Sequence, residues 1–341
     1  MYEKFYGLRE RPFELGSNLR FLYLPETHRE ALSNLEYGIA SRKGVTVLTG
    51  EVGTGKTTLI RAALAQADAA SVCVHVTNPR LTRHEFFEFL SQGFKLGSEA
   101  SVTKVSCLAA LEERLIARLD RGEYSTLIVD EVQSVSDELL EEIRLLTNME
   151  VAGGARLLSV ILVGQPEFGD RLNTAELRHL KQRVALRCEL RPLTLHETAG
   201  FIASRIRVAG GSAAGVFTRE AVQLIYEVSG GIPRVISVLC DNALVNGFAA
   251  NERPVGSKLV QDVCRDFHIQ CRDDIPDDAP APAVAPMPST LGTSVAPAPL
   301  HAVTPSQAPL VPAADPAVKA APPPTDPLFA SIGRRRRFGI F

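Results

Sequence analysis

The sequence predicts an α/β fold in which a parallel five-stranded sheet is flanked by helices, followed by an all-α domain and a disordered Pro/Ala-rich tail. Three observations carry that expectation. Short apolar runs alternate with segments of helical period, the pattern of βαβ units around a parallel sheet. The apolar runs stop after Pro192, and only helical patterns follow. Composition then shifts near Arg272, and 15 of the chain's 22 prolines fall between there and Gly333.

In chain order, the strand-like runs cover residues 45–49, 72–76, 126–129, 157–163 and 184–190. Helical patterns lie between them: after Lys56, from Glu85, over 105–119 and over 138–149. Thr82-Arg83-His84-Glu85 and Thr194-Leu195-His196-Glu197 fit the capping box, in which threonine and glutamate satisfy each other's free N–H groups. Residues 196–209, 219–228, 233–247 and 257–267 read as amphipathic helices, the third carrying Val235, Ile236, Leu239, Cys240, Ala243 and Leu244. The expected organisation is a linker segment at 1–40, an α/β domain at 41–192, a helical lid at 193–270, a linker at 271–333 and a basic-aromatic tail at 334–341. The 271–333 stretch has no hydrophobic period, so it cannot bury enough apolar surface to offset the entropy of ordering.

Composition narrows the function classes. A hydrophobic content of 45% with 22% charged residues is ordinary globular chemistry. The net charge of −2 supplies no overall field toward nucleic acid or membrane, so such contacts need a local patch. No run of about 18 apolar residues suggests a membrane-spanning helix. Met1-Tyr2-Glu3-Lys4-Phe5 lacks the basic-then-apolar order of a signal peptide. The six cysteines form no C-x-x-C pair, and Cys73 and Cys240 sit among apolar neighbours, which implies reduced, buried thiols. The seven histidines lack metal-ligand spacing, and no zinc is expected. The expected location is the cytoplasm, with a peripheral contact to the inner membrane open to the basic tail.

The chemistry-bearing motif is Gly50-Glu51-Val52-Gly53-Thr54-Gly55-Lys56-Thr57, with Thr58 next, a full G-x-x-x-x-G-K-[ST] between a strand and a helix. Its glycines let backbone N–H groups curl around phosphates, and the following helix N-terminus adds positive potential. Lys56 is expected to reach the β- and γ-phosphates of ATP and Thr57 to bind Mg²⁺. Leu127-Ile128-Val129-Asp130-Glu131 is an apolar strand ending in two carboxylates. Asp130 is expected to hold the same metal, and Glu131 to orient or deprotonate the attacking water.

With these motifs in order, the sequence resembles the ExeA/GspA family of general-secretion AAA+ ATPases. Besides the P-loop, Asp130-Glu131-Val132-Gln133 and Val163-Gly164-Gln165-Pro166-Glu167 resemble that family. So do Phe5-Tyr6-Gly7-Leu8, Pro12-Phe13, Phe21-Leu22-Tyr23, His28 and Ala31-Leu32 near the start, and the likeness runs over about residues 1–270. The resemblance implies an AAA+ core similar to initiator ATPases, working as a homo-oligomer. It implies a catalytic set of Lys56, Glu131, Gln165 and Arg183. Gln165 would sense the γ-phosphate, and Arg183 would be the arginine finger given to a neighbouring subunit, with Arg178 as the alternative. Arg234, in Gly230-Gly231-Ile232-Pro233-Arg234, would be the lid arginine that closes on the nucleotide, and Asn78 would bond Glu131 and hold it idle.

The resemblance also implies a protein partner in an envelope secretion, pilus or exopolysaccharide export system. The alternative is a DNA-associated ATPase similar to transposition regulators or replication initiators, holding a duplex against a basic ring surface. A nucleotide-gated scaffold is a third reading, against which Glu131 argues. Arg334 to Arg337, with Phe338, Ile340 and Phe341, offer a contact for anionic lipid, nucleic acid or an acidic partner.

Overall fold

Each apolar run becomes a strand: β1 (Val45–Gly50), β2 (Ser71–Val76), β3 (Tyr124–Val129), β4 (Ser159–Gly164) and β5 (Val184–Leu190). The structure, a computed structural model, describes residues 1–16, 18–68, 70–97 and 103–268, so the 271–333 linker, the 334–341 tail and Cys271 lie outside the described residues. All strand pairs are parallel, in the order β2-β3-β4-β1-β5. β1 and β4 are buried at every position, because helices cover both faces of the sheet. Their sequences therefore run apolar rather than alternate. β5 lies at an edge, and there Ala185, Arg187 and Glu189 face outward while Cys188 and Leu190 are buried.

Successive residues of a strand point to opposite faces, and the packing follows that period. Val47, Leu127 and Val160 pack with Phe86 and Leu90 of α3 (Arg83–Phe94), Leu111 and Leu115 of α4 (Lys104–Asp120), and Leu140 and Ile143 of α5 (Asp137–Leu146). Their neighbours Leu48, Ile128 and Ile161 pack on the other face with Leu35 and Ile39 of α1 (Glu26–Ser41) and Leu59 and Ile60 of α2 (Lys56–Gln66).

After β5 come α6 (Leu195–Val208), α7 (Arg219–Ser229), α8 (Pro233–Ala249) and α9 (Ser257–Asp266), which share one core that includes Ile202, Ile225, Leu239 and Val260. Tyr2, Tyr6, Leu8, Phe13 and Phe21 belong to that same core, so the opening segment packs on the helical part and leads into α1. The Tyr6 hydroxyl donates to the Glu252 carbonyl at 3.1 Å, the Tyr2 hydroxyl donates to the Asp241 carboxylate, and Phe13 meets Phe217 edge-on at 6.2 Å. The boxes at Thr82/Glu85 and Thr194/Glu197 are both formed, and a third closes the start of α4 between Thr103 and Ser106.

Candidate nucleotide site

Because β1 lies beside β4, and β4 beside β3, their carboxyl ends meet at one edge of the sheet. β1 ends at Gly50 and α2 begins at Lys56, so residues 51–55 form a loop around that edge. Gly53 and Gly55 hold φ of 86° and 103°, left-handed backbone that side-chain-bearing residues avoid. A Cβ on Gly50 would lie 2.9 Å from the Leu190 carbonyl oxygen, so the loop can cross β5 only as glycine. No side chain caps the start of α2, which leaves its first N–H groups free for an anion.

The Lys56 side chain lies under this loop with the residue 6% exposed, and its Nζ donates to the Gly50 and Glu51 carbonyls at 2.7 and 2.9 Å. Burial pushes the Lys56 ammonium down from its ordinary pKa, while Glu131 and Asp130 pull it back up. The Thr57 hydroxyl donates to Asp130 Oδ2 at 3.2 Å, and Asp130 Oδ1 accepts from the Glu131 N–H at 2.9 Å. A hydroxyl oxygen and a buried carboxylate in contact are the hard donor pair that suits Mg²⁺. Glu131 itself has left-handed backbone, with φ 52° and ψ 38°. Its Oε2 accepts from Gln133 Nε2 at 2.6 Å and from Gln165 Nε2 at 3.4 Å.

A cavity of about 360 Å³ opens beside the loop, lined by residues 52–58 and Glu131 together with Phe21, Tyr23, His28, Phe201, Arg205 and Arg234 among others. Arg234 is exposed in the first turn of α8, and its N–H donates to the Gly53 carbonyl at 3.2 Å. A Cβ on Gly53 would lie 2.9 Å from the Arg234 Cβ, so loop and helix touch here as backbone. His28 of α1 places Nε2 at 3.0 Å from the Thr54 carbonyl, so Nε2 carries the proton, and burial pushes its pKa down. Arg205 stacks 4.8 Å from the Phe201 ring centroid and donates to the Pro12 carbonyl at 3.0 Å.

The structure thus brings together Gly50, Glu51, Val52, Gly53, Thr54, Gly55, Lys56, Thr57, Thr58, Asp130, Glu131, Gln165 and Arg234. It keeps Arg183 and Arg178 elsewhere. The Arg183 carbonyl accepts from the N–H of Val45 at the start of β1, about 17 Å from Gly50 at the rise of a strand. Its guanidinium lies 4.0 Å from Glu150, whereas Arg178 is exposed and shows no ion pair among the described residues. Asn78 does not reach Glu131; it is exposed, and its side chain accepts from the Arg80 N–H at 3.1 Å. Gln133 holds Glu131 instead. The sequence reading passed over Gln133, which stood only as a letter of the D-E-V-Q run, and over Arg205, whose place depends on an aromatic segment almost two hundred residues away.

Residues 39–172 match the family described as AAA domain. General secretion pathway protein A of Aeromonas hydrophila is 38% identical over 255 residues, which is 75% of this chain and 46% of that protein. The chain therefore spans less than half the length of that relative. Among solved structures, the ORC2 protein of Aeropyrum pernix in its ADPNP-ADP complexes matches with a TM-score of 0.56 at 17% identity, over 75% of this chain and 71% of that one. Cdc6p of Pyrobaculum aerophilum matches with a TM-score of 0.54 at 16% identity, over 75% of this chain and 70% of that one. At such identities the likeness is one of fold. Taken with the shared sequence, it makes this chain a AAA+ P-loop protein, homologous over three quarters of its length to general secretion pathway protein A.

Proposed function

We propose that this chain binds Mg-ATP, hydrolyses it as a homo-oligomer, and uses the cycle to assemble or remodel an envelope secretion, pilus or exopolysaccharide export apparatus. The observation that supports hydrolysis is the convergence of Lys56, Thr57, Asp130 and Glu131 at the carboxyl edge of β1 and β3. Lys56, bonded to two carbonyls of its own loop, would exchange them for β- and γ-phosphate oxygens, and N–H groups of the loop and the first turn of α2 would wrap the rest of the chain of phosphates. Thr57 and Asp130 would hold Mg²⁺, which neutralises charge on the phosphates when bound. Glu131 would orient a water for in-line attack and accept its proton, with Gln165 beside it. Arg234, against the loop at Gly53, would report nucleotide to the helical part.

The export role rests on the kinship with general secretion pathway protein A, and it would put the ATPase where ATP is supplied, at the cytoplasmic face of the inner membrane. Two experiments test the proposal. Lys56→Ala is expected to lower Mg-ATP affinity at least tenfold in equilibrium titration, and unchanged affinity rejects the site. Affinity capture of the ATP-loaded Glu131→Gln protein is expected to recover envelope-assembly proteins, whereas recovery of duplex DNA alone rejects the export role.

A further inference from the structure

We propose that Gln133 is the positioning residue that aims the Glu131 carboxylate, through an amide that bonds Glu131 and the Gln165 backbone at the same time. The inference rests on the reading of Glu131 as the group that handles the attacking water.

The amide is keyed by its partners. Gln133 Oε1 accepts from the Gln165 backbone N–H at 3.1 Å, and Nε2 donates to Glu131 Oε2 at 2.6 Å. A backbone N–H can only donate and a carboxylate can only accept, so the amide fits in one orientation. A flip would break both bonds. Glutamine and asparagine offer a donor and an acceptor from one planar amide, and Asn has the shorter arm.

The surroundings hold that amide in place. Gln133 lies in a single 3₁₀ turn, Val132–Ser134, entered through the left-handed backbone of Glu131, and this reversal brings residue 133 back toward the carboxylate of residue 131. Val132 is fully buried, the Ser134 N–H donates to the Glu131 carbonyl at 2.9 Å, and Arg171 donates to the carbonyls of Gln133 at 3.2 Å and Val135 at 2.7 Å. At the end of β4, a Cβ on Gly164 would lie 2.9 Å from Gln133 Oε1 and 2.8 Å from Val132 Cγ1. Glycine at 164 is what leaves room for the glutamine.

The consequence lies in which oxygen is used. Gln133 and Gln165 both donate to Oε2, and Oε1 of Glu131 has no hydrogen bond among the described residues. The carboxylate is therefore held by one oxygen while the other stays available to a water. A base must lie within hydrogen-bond reach of the proton it takes, and small misplacements of a reacting group cost large factors in rate.

The test compares steady-state ATP turnover and Mg-ATP affinity, on the full chain, for wild type, Glu131→Gln, Gln133→Met and Gln133→Glu. Gln133→Met keeps the volume and removes both bonds; Gln133→Glu keeps the acceptor for Gln165 and removes the donor for Glu131. Both are expected to lower kcat about 10- to 100-fold with ATP affinity unchanged. Wild-type kcat in Gln133→Glu would reduce the side chain to a brace for Gln165 and overturn the proposal, as would a loss of ATP affinity in both variants. If Glu131→Gln is inactive while the Gln133 variants keep wild-type turnover, this inference alone falls. If wild type shows no turnover, or Glu131→Gln matches an active wild type, the ATPase reading falls and takes the inference with it.

Discussion

His28 and Lys56 are buried for the same purpose, since each places a nitrogen on a carbonyl of the phosphate loop. The burial of His28 makes stability sensitive to acid. Burial lowers the pKa of His28 in the folded protein below the ordinary histidine value of about 6.5. Between those two values the unfolded chain binds more protons, so stability is present above about pH 6.5 and is lost as pH falls through the folded value. His28→Gln retains a donor for the Thr54 carbonyl and removes the titration. Thermal melts at about pH 7.5 and about pH 5.5 are expected to show a smaller fall in Tm for this variant than for wild type. An equal fall would place the acid sensitivity elsewhere, with His75, which burial also pushes down, as the next residue to change.

At the scale of elements, the strands and most helices were legible because each carries its burial pattern in its own sequence. The edge strand β5 alternates while the covered strands β1 and β4 do not, and both patterns are visible without coordinates. The apolar stripe of α1, Ala31, Leu32, Leu35 and Ile39, follows a polar first turn, and the sequence alone presents it as part of a linker segment. Asp130 and Glu131 could be placed from the strand that ends in them. Gln133 could not, because its role depends on a left-handed turn at a glutamate, a conformation no residue spacing announces. The junction between β5 and α8 is equally a matter of backbone. Leu193 N–H donates to the Gly231 carbonyl at 2.8 Å, and a Cβ on Gly231, at φ 76°, would lie 2.0 Å from the Leu193 oxygen. Gly230 is also left-handed, yet nothing lies within 4 Å of its absent Cβ. Denaturant unfolding is therefore expected to show a loss of about 1 kcal/mol for Gly230→Ala and a loss well beyond that for Gly231→Ala. Equal losses would mean that the Leu193 crossing yields freely.

For the whole molecule, the proposed homo-oligomer is tested at the two candidate fingers. Both arginines are away from the chain's own cavity, and Arg183 is already engaged by Glu150 while Arg178 is exposed. Replacing the true finger by alanine is expected to lower ATP turnover about 10³-fold or more while leaving ATP affinity intact. In the proposed homo-oligomer, mixing that variant with Glu131→Gln is expected to restore part of the activity, because each variant would lack a different half of a site shared between subunits. Arg178→Ala and Arg183→Ala, assayed separately and mixed, identify which arginine crosses the interface; full activity in both would exclude the pair.

The aromatic opening segment has a consequence for how the protein is made. Tyr2 bonds Asp241, 239 residues later, and Tyr6, Phe13 and Phe21 fill a core completed only by helices near residue 260. At about 5–20 residues per second, a ribosome needs roughly 12–50 s to deliver those helices. During that interval the rings of the opening segment lack the helices that bury them in the folded chain.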